Sequence, residues 1–234
     1  DLLEDAWNGT GQFEGTEPIR GFGAVAGVYE EACQIVVRAD SEISTVEELE
    51  GHRVSVGEEE SGTKQNALQI LAAYGLNEKL VEEVSLNYTE AAKELENGTI
   101  DAFFCTAGVQ TAAITNLAQR TGIRFLNVDS AAAARLKKSY PVYDSCIIAA
   151  GTYPGQEEDV STVGVKAVLL ASDSVSAEVV EELTALLFEE QQELDFALPV
   201  ELITDADAAV AGISVPFHKG AERYYESRGE KSEN

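Results

Sequence analysis

Apolar positions in this chain alternate between short runs with the spacing of a strand and longer segments with the spacing of a helix. Residues 54–56 place two valines around a polar residue, and Gly57 then interrupts the strand. Apolar residues recur at helical spacing over residues 67–72, until a glycine ends the helix. The pattern predicts a strand, a glycine-bearing loop and a helix that begins at Ser61 or Thr63.

The same arrangement returns later in the chain. Residues 100–105 form an apolar run, and small residues at 106–109 precede a second helical segment. The first turn of a helix has unpaired backbone N–H groups and the positive end of the helix dipole, so each start can hold a carboxylate or a phosphate. In open α/β sheets such loops gather at the carboxyl ends of the strands, where two of them could face one ligand.

Simpler explanations stay open for both segments. Ser61 or Thr63 can serve only as the cap of its own helix. Ala107 and Gly108 can be small only because the second helix packs closely on the strand before it.

The remaining segments continue the alternation of strands and helices, which predicts an α/β fold. Strands are expected at residues 19–26 and 33–38, with a connection at 27–31 between them. Thr89 is expected to cap a helix over residues 90–97.

Connections near residues 36–40 and 140–150 set a central βαβαβ block apart from the two flanks. This organisation predicts two lobes with the ligand in a cleft between them. Residues 1–38 and 145–234 are assigned to lobe I, and residues 39–144 to lobe II.

The composition is that of a folded, strongly acidic protein. Its 234 residues are 44% hydrophobic, and 42 acidic against 16 basic residues give a formal charge of −26. Nucleic acids and anionic membranes are therefore poor candidates as partners. The acids are dispersed over expected helix faces, which favours an acidic surface that serves solubility in high salt over one that attracts cations or a basic partner.

The sequence contains no recognisable catalytic or metal-binding set. Cys33, Cys105 and Cys146 are odd in number and irregularly spaced, which fits neither a disulfide framework nor a zinc site. His52 and His218 lie in no setting with a nucleophile or a paired carboxylate. We expect no enzyme activity, no cofactor and no metal.

Ordered motifs along most of the chain resemble those of the TAXI family of solute receptors, which serve TRAP transporters. The matching segments are NGTG at 8–11, FEG at 13–15, QIVVRAD at 34–40, GHRVSVG at 51–57, SGT at 61–63, IDAFF at 100–104, TAG at 106–108, TAA at 111–113, AGTY at 150–153, GQ at 155–156, VKA at 165–167, SVPFH at 214–218, GA at 220–221 and YY at 224–225. The resemblance implies a two-lobe, type II periplasmic-binding-protein-like fold with a hinge and an interlobe cleft.

The resemblance also implies an extracytoplasmic receptor, periplasmic or anchored to the outer face of the cell membrane. It would bind a small carboxylate such as glutamate, glutamine or a dicarboxylate, deliver it to the membrane permease, and act as a monomer. The sequence does not name the solute.

The ligand contacts that the resemblance implies come from two groups of residues. Ser61, Gly62 and Thr63 would grip a ligand carboxylate, and the opposite wall would consist of Thr106, Ala107, Gly108 and Val109. Contacts from the other lobe are expected from Asn8, Thr10 and Tyr29. Tyr29 can equally be a core or hinge aromatic.

Two features depart from the family pattern. Family members carry a leading segment whose glycine-rich loop contributes to the site, and this chain is expected to start after it, which leaves the first lobe incomplete. Residues 58–60 are three glutamates where small or uncharged residues are usual. Their repulsion opposes anion binding, weakly when they are solvated and screened.

Two other function classes remain to be distinguished. An enzyme on the same architecture, such as a transferase or a thiamine-precursor-type synthase, would need a nucleophile or a base. The effector region of a transcription regulator would need a DNA-binding helix pair and a cytoplasmic location, against which the charge of −26 argues.

Overall fold

The structure is a computed structural model that describes residues 2–190 and 200–229. Its strands are β1 (Phe22–Arg38), β2 (Arg53–Ser55), β3 (Glu82–Val84), β4 (Ala102–Ala107), β5 (Ile123–Phe125), β6 (Asp144–Ile148) and β7 (Val160–Ser172). Its α-helices are α1 (Leu2–Asn8), α2 (Gly62–Ala73), α3 (Tyr88–Asn97), α4 (Ala112–Arg120), α5 (Ser130–Ser139), α6 (Ala177–Glu189), α7 (Ala206–Val210) and α8 (Lys219–Ser227). Short 3-10 turns lie at Gly11–Phe13 and Glu47–Leu49.

The strands form one mixed sheet in the order β3-β2-β4-β1-β7-β6, with β5 also paired to β1. Strand β2 runs parallel to both β3 and β4, whereas β4 and β5 are antiparallel to β1, and β6 is antiparallel to β7. The α/β fold that the sequence predicts is confirmed.

The chain divides into two compact units, residues 1–30 with 166–234, and residues 31–165. The predicted lobes divide the chain at 38 and 145 instead. The lobe assignment, the hinge and the cleft stay predictions.

In the unit of residues 31–165, the alternation of side chains along β4 fills two apolar cores. Phe104 faces one core, in which β2 packs against α2 and α5 through Val54, Ile70 and Leu136. Phe103 faces the other core, which contains residues from α3 and α4. The strands are therefore covered on both faces, and their exposed ends are where loops can form a site.

In the unit of residues 1–30 and 166–234, helices α6 and α8 pack together beside β1. The Tyr225 hydroxyl donates to the backbone oxygen of Val25 at 2.9 Å. A Cβ at Gly220 would lie 2.3 Å from the backbone oxygen of Ala177, so only glycine permits this approach of the two helices. Among the described residues, no helix has the length and apolar character needed to cross a membrane.

Two local predictions are wrong. Residues 27–31 do not form a connection, because β1 continues through them: the backbone oxygen of Val28 accepts from Ile203, and Tyr29 bridges to Leu202. Thr89 does not cap α3. Asn87 is the cap, and Tyr88 is therefore the first residue of the helix.

Candidate ligand-binding site

Three parallel strands end at one edge of the sheet, and each leads into a helix. Strand β2 lies between β3 and β4, with Ser55 paired to Val84 on one side and to Phe103 on the other. The helices that follow these strands are α2, α3 and α4. The predicted segments 61–63 and 106–109 therefore follow neighbouring strands at the same edge, which is where open α/β sheets place their ligands.

Ser61 is the cap of α2. Its hydroxyl accepts from the backbone N–H of Lys64 at 3.1 Å and donates to the backbone oxygen of Glu58 at 2.7 Å. Both bonds of the Ser61 side chain are therefore explained by its role as a helix cap. Helix geometry leaves the backbone N–H groups of Gly62 and Thr63 as the donors that a ligand carboxylate would meet.

Tyr88 joins the two predicted segments. Its hydroxyl lies 2.6 Å from Thr63 Oγ1 and donates to the backbone oxygen of Thr106 at 2.8 Å. Both threonines are buried, and burial raises the pKa of the Tyr88 phenol to about 12, which keeps it protonated. The start of α2 and the end of β4 are consequently held in one hydrogen-bonded chain.

A second buried network fixes the loop between β4 and α4. The Tyr153 hydroxyl donates to Gln34 Oε1 at 2.5 Å and accepts from the backbone N–H of Thr111 at 3.1 Å. The Gln34 amide donates to the backbone oxygen of Ala107 at 3.4 Å and to Thr111 Oγ1 at 3.3 Å. Gln34 and Tyr153 are almost fully buried, so this loop has a defined shape before any ligand arrives.

The two helix starts share an uncommon backbone conformation. Glu60, directly before Ser61, has φ 60°, and Gln110, directly before Thr111, has φ 62°. Left-handed residues other than glycine are infrequent and cluster at functional sites. Gly57 has φ 103°, and a Cβ there would lie 2.9 Å from the Thr63 side chain, so the first loop requires glycine at this position.

The charge at the start of α2 is partly neutralised within the chain. Lys64 Nζ lies 2.6 Å from one carboxylate oxygen of Glu59, and Ser85 donates to the other at 2.6 Å. The Lys64 hydrogen bond and the Ser85 hydrogen bond lower the pKa of Glu59 below its usual range. One of the three glutamates expected to oppose an anion is therefore tied to a cation.

The three remaining predicted contacts lie in the other unit. Asn8 ends α1, Thr10 donates from its hydroxyl to Asp5 at 2.9 Å, and Tyr29 lies within β1. Their roles in a site stay predictions, as do those of the seven residues at the edge of the sheet.

Sequence reasoning missed Tyr88, Gln34, Tyr153 and the Glu59–Lys64 pair. Gln34 and Tyr153 lie within matched motifs but received no role. A sequence signal for Tyr88 does exist. Asn87 is followed three residues later by Glu90, which is the pattern of a capping box, and this pattern makes Tyr88 the first residue of α3.

The described part of the chain contains no cluster of three or more residues suited to a metal ion. A cavity of about 200 Å³ lies at the amino end of β4, away from the candidate site, and is lined by Arg38, Gly98 and Asp101 among others. It belongs to neither of the predicted segments.

A family model described as the NMT1-like family matches residues 1–229. Solved structures that are similar to this chain include the periplasmic aliphatic sulphonate binding protein SsuA from Escherichia coli, at 18% identity and a TM-score of 0.44, covering 76% of this chain and 53% of that one. The alkanesulfonate-binding SsuA from Xanthomonas axonopodis pv. citri is 16% identical with a TM-score of 0.45, covering 84% and 56%.

A TctC solute binding protein from Polaromonas is similar at 18% identity and a TM-score of 0.48, covering 84% of this chain and 65% of that one. The chain thus spans between about half and two thirds of the length of these three proteins.

Proposed function

Because this chain belongs to the NMT1-like family, we propose that it is a solute receptor that binds a small organic acid and performs no chemistry on it. The observation that carries the proposal is the Tyr88 hydroxyl, 2.6 Å from Thr63 and 2.8 Å from the Thr106 oxygen. It joins the two segments that are predicted to bind the ligand, at the carboxyl edge of β2 and β4. Backbone N–H groups at such an edge favour a carboxylate without a basic side chain.

The finer assignment follows the motif resemblance. The chain is a TAXI-type receptor of a TRAP transporter, lies outside the cytoplasm, and delivers its solute to a membrane permease. Ser61, Gly62 and Thr63 bind the carboxylate, and Thr106 to Val109 form the opposite wall. Asn8, Thr10 and Tyr29 are further ligand contacts in this proposal.

The test is titration calorimetry of the purified protein with L-glutamate, L-glutamine, 2-oxoglutarate, succinate and an alkanesulfonate. We expect saturable binding of at least one carboxylic acid and recovery of the unchanged solute after incubation. A flat response to every acid would refute the receptor. Saturation by the sulfonate alone would refute a carboxylic acid as the ligand and would indicate a sulfonate, the ligand named for the Escherichia coli protein.

A matched pair of variants locates the site. Thr63→Val removes the hydroxyl that joins the start of α2 to Tyr88, and we expect at least about a tenfold loss of affinity for the bound acid. Thr99→Val removes an exposed hydroxyl beside the amino end of β4, where it bonds to the Glu94 backbone, and should leave the affinity unchanged. Equal effects of the two variants would place the ligand elsewhere.

A further inference from the structure

Proton directions can be assigned along the chain from Thr63 through Tyr88 to Thr106. A phenol hydroxyl carries one proton, and a backbone carbonyl oxygen only accepts. The Tyr88 oxygen lies 2.8 Å from the Thr106 carbonyl oxygen, and two acceptors at that distance would repel one another without a proton between them. Tyr88 therefore donates to Thr106, and Thr63 has to donate to Tyr88 across their 2.6 Å contact.

This direction changes what Thr63 can offer to a ligand. Its hydroxyl has one proton and two lone pairs, and the proton is committed to Tyr88. What remains is an acceptor, next to backbone N–H groups that act as donors. A ligand at the start of α2 would thus meet donors from the backbone and an acceptor from the side chain.

We propose that Tyr88 is a positioning residue that sets ligand specificity: it holds the Thr63 hydroxyl as an acceptor, which favours ligands that place a hydrogen-bond donor beside their carboxylate. This inference rests on the proposed function, because it requires the ligand to lie at the start of α2. Tyr88 acts on the ligand only through Thr63, because its own hydroxyl is bonded to Thr63 and to the Thr106 backbone oxygen.

The surroundings of Tyr88 suit such a role. Asn87 and Glu90 form both bonds of a capping box, which fixes the first turn of α3 and with it the base of the Tyr88 side chain. The ring packs against the apolar core between the sheet and helices α3 and α4. The position of the phenol is therefore fixed by the helix cap, by the packing of its ring and by the hydrogen bonds of its hydroxyl.

The chain offers a matched control in Tyr143. Its hydroxyl also makes two bonds, donating to Gln69 at 2.6 Å and accepting from Asn66 at 2.7 Å, and both partners lie on α2. Neither partner belongs to the predicted ligand contacts. Removal of this hydroxyl should lower stability to a similar degree without changing specificity.

The test compares L-glutamate with glutarate, which has the same two carboxylates but lacks the ammonium group. In Tyr88→Phe the Thr63 proton is released, so we expect the ratio of glutamate to glutarate affinity to fall by about tenfold. In Tyr143→Phe the ratio should stay at its wild-type value. An unchanged ratio in Tyr88→Phe, or an equal fall in both variants, overturns the proposal.

A second readout needs no ligand. Hydrogen–deuterium exchange of the hydrogen-bonded backbone amides of Lys64 and Gln65, at the start of α2, should become about tenfold faster in Tyr88→Phe than in Tyr143→Phe. Equal exchange overturns the positioning role even if no acid binds. Absence of acid binding to the wild type, by contrast, refutes the proposed receptor.

A third variant covers a failure of Tyr88→Phe to fold. Thr63→Val removes the acceptor itself and should lower the glutamate to glutarate ratio to the same extent, whereas Thr63→Ser keeps the hydroxyl and should retain it. An equal ratio in the valine and serine variants would overturn the proposal.

Discussion

Glu59 and Lys64 form an ion pair of 2.6 Å at the start of α2. Among the described residues, neither Glu58 nor Glu60 takes part in such a pair, although the three glutamates are consecutive. The acidic run thus contains one carboxylate that is paired with Lys64, a cation in the first turn of α2. Any acid that binds beside Lys64 has to compete with Glu59 for its charge.

Glu59→Gln should strengthen the binding of small acids. The change removes a negative charge and frees Lys64, so we expect affinity for the bound acid to rise severalfold in 20 mM salt. The gain should shrink in 1 M salt, where the screening length falls to about 3 Å. Calorimetric titrations at both salt concentrations measure the effect.

Glu58→Gln is the matched control for this prediction. It makes the same change in net charge one residue away, without releasing Lys64, and should give a clearly smaller gain. If the two variants were indistinguishable, the ion pair would have no part in ligand affinity.

The same ion pair predicts a pH dependence of stability. Lys64 and Ser85 lower the pKa of Glu59 in the folded protein, so the folded state holds this proton less tightly than the unfolded chain does. Its contribution is fully present above the ordinary glutamate pKa, about 4.3, and is lost as the pH falls through the lower folded value. Thermal unfolding between pH 6 and pH 3 should therefore be less pH-dependent in Glu59→Gln than in the wild type.

Carboxyl carbon shifts give the direct check of this pH effect. Lys64→Met should move the Glu59 titration up toward the ordinary range, because it removes the largest cause of the shift. A Glu59 titration that does not move in Lys64→Met would show that the ion pair is absent in solution.

Much of the site's framework could be predicted because its signals are local. The apolar runs before Gly57 and Gly108, and the small or hydroxyl-bearing residues after them, mark both strand ends and both helix starts within a few positions. The parallel order of β2 and β4 then follows from the α/β alternation. This explains why segments 61–63 and 106–109 were expected at one edge of the sheet.

What could not be predicted depends on partners far away in sequence. Gln34 and Tyr153 are 119 positions apart and meet in the fold. Residues 27–31 are predicted as a connection because a glycine and two glutamates interrupt the apolar pattern. Their strand conformation depends on backbone pairing with Leu202 and Ile203. No pattern within β1 contains that information.

Tyr88 was missed because two residues competed for one helix cap. Asn87 and Thr89 are both residue types that cap helices, and the sequence analysis predicts the cap at Thr89. Asn87 prevails because Glu90 lies three positions later and returns the bond to its backbone N–H. With the correct start, Tyr88 falls on the first turn of α3, at the edge where the site is expected.

The net charge of −26 predicts a stability that rises with salt. With 42 acids against 16 bases, the carboxylates repel one another on balance, and this repulsion weakens as the screening length shortens. We expect the melting temperature to increase from 0.1 M to 2 M potassium chloride. An unchanged or falling melting temperature would contradict adaptation of the surface to high salt.

Ser55 provides a prediction about stability that is independent of any ligand. Its side-chain oxygen is buried in β2, with no hydrogen-bond partner among the described residues. Strand alternation explains the position: Val54 and Val56 face the core that contains α2, so Ser55 points to the opposite, equally apolar face. An unsatisfied buried hydroxyl costs on the order of 1–3 kcal/mol.

Ser55→Ala should therefore raise the free energy of unfolding by about 1 kcal/mol, since it removes the unsatisfied group and leaves only a small void. Thr162→Val serves as the control, because the equally buried Thr162 hydroxyl donates to the Cys33 backbone oxygen at 2.6 Å. That variant should lower the free energy of unfolding by about 1 kcal/mol. Urea unfolding of both variants decides the matter: a loss of stability in Ser55→Ala would mean that the Ser55 hydroxyl has a bonding partner in solution.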